Sequence, residues 1–260
     1  MAIITLCSDW GTRDHYTAMV KGAILKLMPQ AVIVDITHQI PPFNLIFAAF
    51  IIRNVYHQYP PSTIHIIDIN SDTPKTTSYL IVEKDRQFFI APDNGMFSLV
   101  FDTKPDRIIT LAVDPALENS TFIASELFAP AACKLANGIA CNELGKEKPD
   151  LDTRISFAPA VDHNIIRAKV IFIDSYENVF LNITSGLFEE VGRGRPFTIY
   201  FKTLDFAIQK ISKSYKDVTE GEILAIFSSG GLLEIAMNRG NAASLLGLRA
   251  DDSVRIEFRD

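Results

Sequence analysis

The chain has 260 residues, 48% of them apolar, with 25 basic and 31 acidic residues and a formal net charge of −6. That composition buries a sizeable core without disulfides or metals, and its interspersed charges lack the basic stripe that nucleic-acid binding needs. Three cysteines, an odd number with no Cys-x-x-Cys pair, argue against a disulfide framework or a zinc knuckle and suit a reducing cytoplasm. No run of about 18 uninterrupted apolar residues is present to span a membrane.

Residues 1–6, MAIITL, lack a basic start and a cleavage site, so they read as a first strand and not as a signal peptide. The strand Ile3–Cys7 ends in the turn Ser8-Asp9-Trp10-Gly11-Thr12. Helix-period apolar residues follow over Tyr16–Met28, closed by Pro29. Ala31–Ile36 reads as a strand, Pro41-Pro42 as a break, and Asn44 as the cap of a helix reaching about Gln58. Thr63–Ile69, Tyr79–Glu83, Phe88–Ala91 and Arg107–Leu111 read as strands, and Glu126–Ala136 as a helix. Strands alternating with helices imply βαβ units and a largely parallel sheet. Periodicity gives way to charge and proline over 151–164, a linker between an α/β domain at 1–150 and a second domain at 165–260. There the runs Ile165–Ile173, Val179–Ile183, Phe197–Lys202, Glu222–Phe227, Leu232–Met237 and Val254–Phe258 give an all-β pattern, a small barrel or a sandwich.

In α/β sheets, ligands bind beyond the carboxyl ends of the strands. Those ends carry Asp9, then Asp35 with His38, then Asp68 with Asn70 and Ser71, then Asp93 with Asn94. Turns favour Asp and Asn for backbone reasons, yet four successive polar strand ends exceed that bias. Asp9, at the first βα turn, suits paired hydrogen bonds to two ribose hydroxyls. Neither Gly-x-Gly-x-x-Gly nor a P-loop is present, so the ligand has a ribose and no pyrophosphate, as in a nucleoside. In the second domain, Asp174–Asn178 and the small-residue run Asn241–Ser244 are further candidate loops, the first also readable as a plain hairpin turn. His15, His57 and His163 show no metal-ligand spacing, and Trp10 reads as packing. No hydrolase triad follows from Ser120, Ser125 or Ser229.

These pieces recur together in one family. Ser8-Asp9-x-Gly11-Thr12-x-Asp14, Lys21-Gly22, Val34-Asp35-Ile36-Thr37-His38, Ile40-Pro41-Pro42 and Ala91-Pro92-Asp93-Asn94-Gly95 resemble the S-adenosylmethionine hydrolases, or SAM hydroxide adenosyltransferases. The match continues through Phe128–Ala132, Ile173-Asp174, Asn178, Asn182-Ile183 and Leu233–Ala236. The resemblance implies an α/β domain followed by a small β-barrel, a fold shared with the fluorinases and chlorinases. It implies a homotrimer with sites between subunits, and S-adenosylmethionine as substrate with no cofactor. In that reading Asp9 holds the ribose, Phe43 lies beside ribose and base, and Asp174 and Asn178 face the methionine amine and the adenine side. Tyr176 and Phe180 pack on the base, with Ala242 near its edge; Ser71, Asn94, Phe122 and Ser229 complete the substrate set.

The chain departs from the family at the water-activating residues, where the resemblance implies an Asp, an Arg and a His. Asp68 keeps the first, Lys75 stands for the second, and Ile123 occupies the place of the third, followed by Ala124-Ser125-Glu126. Near the methionine pocket, Ser228 and Ser229 match a polar pair, but Gly240 stands for a basic residue. Three readings follow: a hydrolase using Asp68 and Lys75, a non-catalytic binder or sensor of an adenosyl ligand, and a chlorinase-type halogenase. Asp68 opposes the last, because a carboxylate repels a halide in low-dielectric surroundings.

Overall fold

The runs IITLCS and IHIID are apolar without alternation, as strands covered on both faces must be. They form β1 (Ile3–Ser8) and β3 (Ile64–Asp68), parallel neighbours at the centre of a seven-stranded sheet. The structure is a computed structural model that describes residues 2–72, 74–152, 158–202 and 206–259. It divides into two units, Met1–Ile155 and Ser156–Asp260.

In the first unit, α1 (Tyr16–Leu27) leads to β2 (Val32–Thr37), and α2 (Leu45–Val55) leads to β3. Asn44 caps α2 as expected, its Oδ1 accepting the amide of Phe47 at 2.9 Å. The remaining elements are β4 (Tyr79–Lys84), β5 (Gln87–Pro92), α3 (Phe97–Val100), β6 (Arg107–Leu111), α4 (Ala129–Ala136) and β7 (Gly145–Glu147). The strand order is β2-β1-β3-β5-β4-β6-β7. Pairing is parallel only over β2-β1-β3-β5, and the ladders β5-β4, β4-β6 and β6-β7 are antiparallel, with β4 and β7 reversed, which corrects the expectation of a largely parallel sheet. The cause is local. Asp85 and Arg86, with φ of 51° and 62°, make a two-residue hairpin between β4 and β5, without the Asn-Gly signal that betrays such turns in sequence.

Helices cover both faces of this sheet. On one, Val20 and Ile24 of α1 and Ala131, Ala132 and Leu135 of α4 pack with Ile4, Leu6, Ile64, Ile66 and Ile90. On the other, Phe89 of β5 meets Tyr56 after α2 at 5.3 Å and Phe97 of α3 at 6.3 Å, both edge-on. The helix expected at Glu126–Ala136 begins earlier, with a π-helical turn over Ala124–Phe128 in which the Ala129 amide reaches back to the Ala124 carbonyl. Pro130 has no N–H to continue the regular ladder, so the turn widens just before it.

The second unit holds β8 (Ala160–Asp162), β9 (Ile165–Ile173), β10 (Val179–Thr184), α5 (Ser185–Gly192), β11 (Phe197–Tyr200), β12 (Ala207–Ile208), β13 (Ile211–Ser212), β14 (Ile223–Phe227), β15 (Leu232–Met237), α6 (Ala242–Leu246) and β16 (Ser253–Phe258). Its nine strands join in the order β12-β11-β16-β9-β10-β15-β14-β13, with β8 also on β9. All but one of these ladders are antiparallel, the exception being β13 with β14. Inward residues alternate along β9, where Ile166, Ala168 and Val170 are buried. Two expectations need correction. Residues 160–162, assigned to the linker, form β8, whose exposed side chains show no apolar alternation; residues 153–157 of that stretch lie outside the described residues. The second half is also not all-β: α5, capped by Thr184 Oγ1 on the Leu187 amide, escapes detection because it is short and carries Gly186 and Gly192.

Candidate functional site

Four strand ends meet on one side of the first sheet, because β2, β1, β3 and β5 are parallel neighbours. Asp9 follows β1 directly, and its Oδ2 accepts the Phe43 amide at 2.9 Å. Phe43 sits at φ 65° with its side chain 70% exposed. A non-glycine residue there costs roughly 1–2 kcal/mol. The bonds that hold it are the one to Asp9 and the turn closed by the Asn44 amide on the Pro41 carbonyl at 3.0 Å. The Gly11 amide donates to the His38 carbonyl at 2.7 Å, so the loops after β1 and β2 are stitched together. Asn94 does the same for the loops after β3 and β5. Its Nδ2 donates to the Ile69 carbonyl at 2.9 Å, and its Oδ1 accepts the Met96 amide at 3.2 Å.

Asp68 ends β3, opposite Ser8 of β1, with 1% of its surface exposed. Trp10 Nε1 donates to its Oδ2 at 2.9 Å, whereas Oδ1 is buried with no hydrogen-bond partner among the described residues. Burial pushes its carboxyl from 3.8 up to about 6; Asp9 adds to the rise, and the Ser71 hydroxyl and Trp10 indole oppose it. Such a carboxylate is ionised at neutral pH and basic enough to take a proton.

The Trp10 ring is wedged. His38 lies stacked at 5.8 Å and 15°, and Phe122 meets it edge-on at 5.2 Å. Tyr16 packs on Phe122 at 5.0 Å. His38 is buried, its Nδ1 2.7 Å from Ser8 Oγ and its Nε2 3.2 Å from Asp35 Oδ1, while Asp35 Oδ2 pairs with Lys21 at 2.6 Å. Ile123 and Ala124 are buried and apolar.

Lys75 is not placed as a partner for Asp68, which corrects the pairing expected from sequence. It is half-exposed, with its ammonium 3.8 Å from Glu118. A long, flexible ammonium settles on the nearest exposed carboxylate, and Asp68 is sealed from it by burial.

In the second unit, β9 and β10 are joined by Asp174–Asn178, a true hairpin loop. Asp174 Oδ1 accepts the amides of Tyr176 and Asn178 at 2.9 and 2.8 Å, and Oδ2 accepts Asn178 Nδ2 at 3.1 Å. The Ala243 amide donates to the Glu177 carbonyl at 3.0 Å and the Ser244 amide to its carboxylate at 2.9 Å. The two candidate loops of this unit are thus brought together, and Ala242 is fully buried. A cleft of about 650 Å³ opens there, lined by Asp174, Tyr176, Asn178, Tyr215, Asn238 and Asn241. Tyr176 is 78% exposed, whereas Phe180 is buried with Phe172 edge-on at 5.7 Å. Ser229 lies apart, exposed in the β14–β15 turn. A side chain at Gly240 would run into Met237 Sδ.

Sequence reasoning overlooked Trp10, Tyr215 and Glu234 as site groups. Tyr215 donates to Glu234 Oε1 at 2.8 Å, and burial pushes the Glu234 carboxyl up while that bond lowers it. The available signal was a lone carboxylate inside the apolar strand LLEIAM. For Trp10 the signal was a single indole beside two aspartates' loops, and only the fold shows that its N–H finds Asp68. Among the described residues, no group of His, Cys, Asp or Glu is placed to hold a metal ion, and no helix is long and apolar enough to cross a membrane.

The chain thus joins a mixed α/β unit with carboxylates at adjacent strand ends to a β-rich unit with its own loop cleft. Residues 4–145 match the SAM hydroxide adenosyltransferase N-terminal domain, and residues 168–255 match the C-terminal domain. The chain belongs to the SAM hydroxide adenosyltransferase family. It is 28% identical to the (R)-S-adenosyl-L-methionine hydrolase of Thermus thermophilus, over 98% of this chain and 100% of that one. It is 29% identical to the (R)-S-adenosyl-L-methionine hydrolase of Methanocaldococcus jannaschii, over 98% and 96%. An uncharacterized conserved protein from Thermotoga maritima has a similar solved structure, with TM-score 0.87 and 27% identity over 97% of this chain and 99% of that one.

Proposed function

We propose that this chain hydrolyses S-adenosylmethionine to adenosine and methionine, with Asp68 as the base. The observation that carries the reading is the arrangement of Asp9 and Asp68 on adjacent parallel strands, one half-exposed and the other buried with one oxygen unpartnered, in a member of this family. Water oxygen attacks the 5′ carbon of the ribose, its proton passes to Asp68, and the bond from that carbon to sulfur breaks with its electron pair moving to sulfur. The sulfonium is already a good leaving group, so positioning and a desolvated base do most of the work and no cofactor is needed.

Asp9 holds the ribose hydroxyls in this reading, with Phe43 over the sugar and Ser71, Asn94 and Phe122 around the reacting end. Asp174, Asn178, Tyr176, Phe180, Ser229 and Ala242 serve the base and the methionyl group, contributed by a neighbouring copy in a homotrimer whose second unit closes as a small barrel. Lys75 has a place only where substrate draws it from Glu118 toward Asp68. Three buried free cysteines fit a reducing cytoplasm.

The test is incubation of purified protein with each sulfonium epimer of S-adenosylmethionine, with and without chloride, and mass analysis of products. Both epimers belong in it because the relatives' names specify (R). Adenosine and methionine without chloride dependence support the hydrolase. A 5′-chloro nucleoside, or tight binding without product, would replace it with the halogenase or the binder.

A further inference from the structure

We infer that Trp10 is the positioning residue for the reacting carboxylate: its indole N–H anchors Oδ2 of Asp68 and leaves Oδ1 alone to receive the proton of the attacking water. The inference deepens the hydrolase reading and rests on it. The indole Nε1 donates to Oδ2 at 2.9 Å, and Oδ1, although buried, accepts no hydrogen bond among the described residues. A carboxyl group on a short side chain turns broadly about its last torsion, so an unanchored Asp68 would present either oxygen at many angles. A donor fixed in a packed ring removes that freedom. The Ser71 hydroxyl also bears on the carboxyl, but Ser71 is exposed and its hydroxyl rotates about its own bond, whereas the indole N–H is fixed in the plane of a packed ring; Lys75 sits at Glu118, and Ile123 and Ala124 are apolar.

The donor is itself fixed. His38 stacks on one face of the indole and Phe122 closes on its edge. Ser8 hydrogen-bonds His38 Nδ1 from strand β1, and Asp35 Oδ1, on β2 and paired through Oδ2 with Lys21, lies 3.2 Å from Nε2 without hydrogen-bond geometry. A phenylalanine would fill the same space and supply no N–H, so the bond, not the bulk, is what the tryptophan adds. The titratable groups facing Asp68 are Asp9 and Tyr79, with Asp72 beyond Tyr79 and His38 behind the indole.

Trp10 is the single tryptophan of the chain, so the intrinsic emission of the full-length protein reads this contact. Emission is titrated in the native protein, in Asp68→Asn and in His38→Gln, and kcat and KM are followed against pH in the native protein and Trp10→Phe. The expected result is an emission transition near pH 6 that persists in His38→Gln and vanishes in Asp68→Asn. Trp10→Phe, folded by circular dichroism, keeps KM, lowers kcat roughly tenfold and moves the acid limb of kcat up by about one pH unit, because a carboxylate without its donor ionises less readily. A transition that survives in Asp68→Asn, or a Trp10→Phe enzyme with the native kcat and acid limb, overturns the inference. Should the native protein hydrolyse no adenosyl sulfonium, the hydrolase reading fails, and with it Trp10's part in that reaction; the emission arm then decides only whether the anchor exists.

Discussion

His65 and Asp68 lie on the same strand, opposite faces of one sheet, and burial acts on both in opposite directions of charge. His65 is saturated. Its Nδ1 meets Thr5 Oγ1 at 2.7 Å and its Nε2 meets Gln87 Oε1 at 2.6 Å, and the ring stacks on Phe89 at 4.6 Å. The Gln87 oxygen can only accept, so Nε2 carries the proton and Nδ1 accepts from Thr5, a neutral ring. Burial holds its titration down to about 4, against an ordinary 6.5. Asp68 has one oxygen tied and one free, and burial pushes it up to about 6. A buried polar group with every valence satisfied specifies the fold; one left half-satisfied at a strand's carboxyl end is available for chemistry.

The largest expected break in this comparison is Asp68→Asn. Loss of the base lowers kcat by about 10²–10⁴, measured by single-substrate kinetics. Stability moves the other way. The folded carboxyl titrates above its unfolded value of 3.8, so its ionisation opposes folding above about pH 6 and not below 3.8. Removing the charge returns up to about 3 kcal/mol at pH 8, read as a raised thermal midpoint. Asp9→Ala comes next: losing a charged acceptor for the ribose weakens substrate affinity by about 10–100-fold with kcat at saturation less affected, measured by calorimetry and KM.

On the other face, Gln87→Leu strips His65 Nε2 and the carbonyls of Tyr56 and Tyr59 of their partners. Unfolding by denaturant should show a loss of about 1–3 kcal/mol with KM and kcat unchanged. The native protein carries a matching pH signature. The folded His65 titrates below its unfolded value, so its contribution is whole above pH 6.5 and falls by about 3 kcal/mol as pH drops toward 4. The smallest effect is assigned to Lys75→Ala. A half-exposed ion pair with Glu118 is worth about 0–1 kcal/mol, so stability and kcat should stay within about twofold of native. A large loss of kcat would restore Lys75 to the water-activating set.

The strand and helix pattern was legible wherever one face or both met a core, as in Ile3–Ser8, Tyr16–Leu27 and Ile165–Ile173. What escaped were elements whose signals are weak or mixed: the left-handed turn at Asp85-Arg86, the exposed strand Ala160–Asp162, and the short helix Ser185–Gly192. The candidate site divides in the same way. The places of Asp9, Asp68, Asn94 and Asp174 at strand ends and in a hairpin loop are readable because polar residues mark such positions. Trp10 is not, because an indole in a turn looks like packing until the strand register sets it beside Asp68, 58 residues away in sequence. Lys75 misled for the converse reason: sequence order placed a cation near Asp68, while the surface offered it Glu118 first.

Direct attack by water fixes where its oxygen goes. Turnover of S-adenosylmethionine in heavy-oxygen water, with products resolved by mass spectrometry, should place the label on adenosine at the 5′ position and none on methionine, with the yield collapsing in Asp68→Asn. Unlabelled adenosine, or an Asp68→Asn enzyme that labels it as fast as the native protein, would contradict attack by water under the control of Asp68.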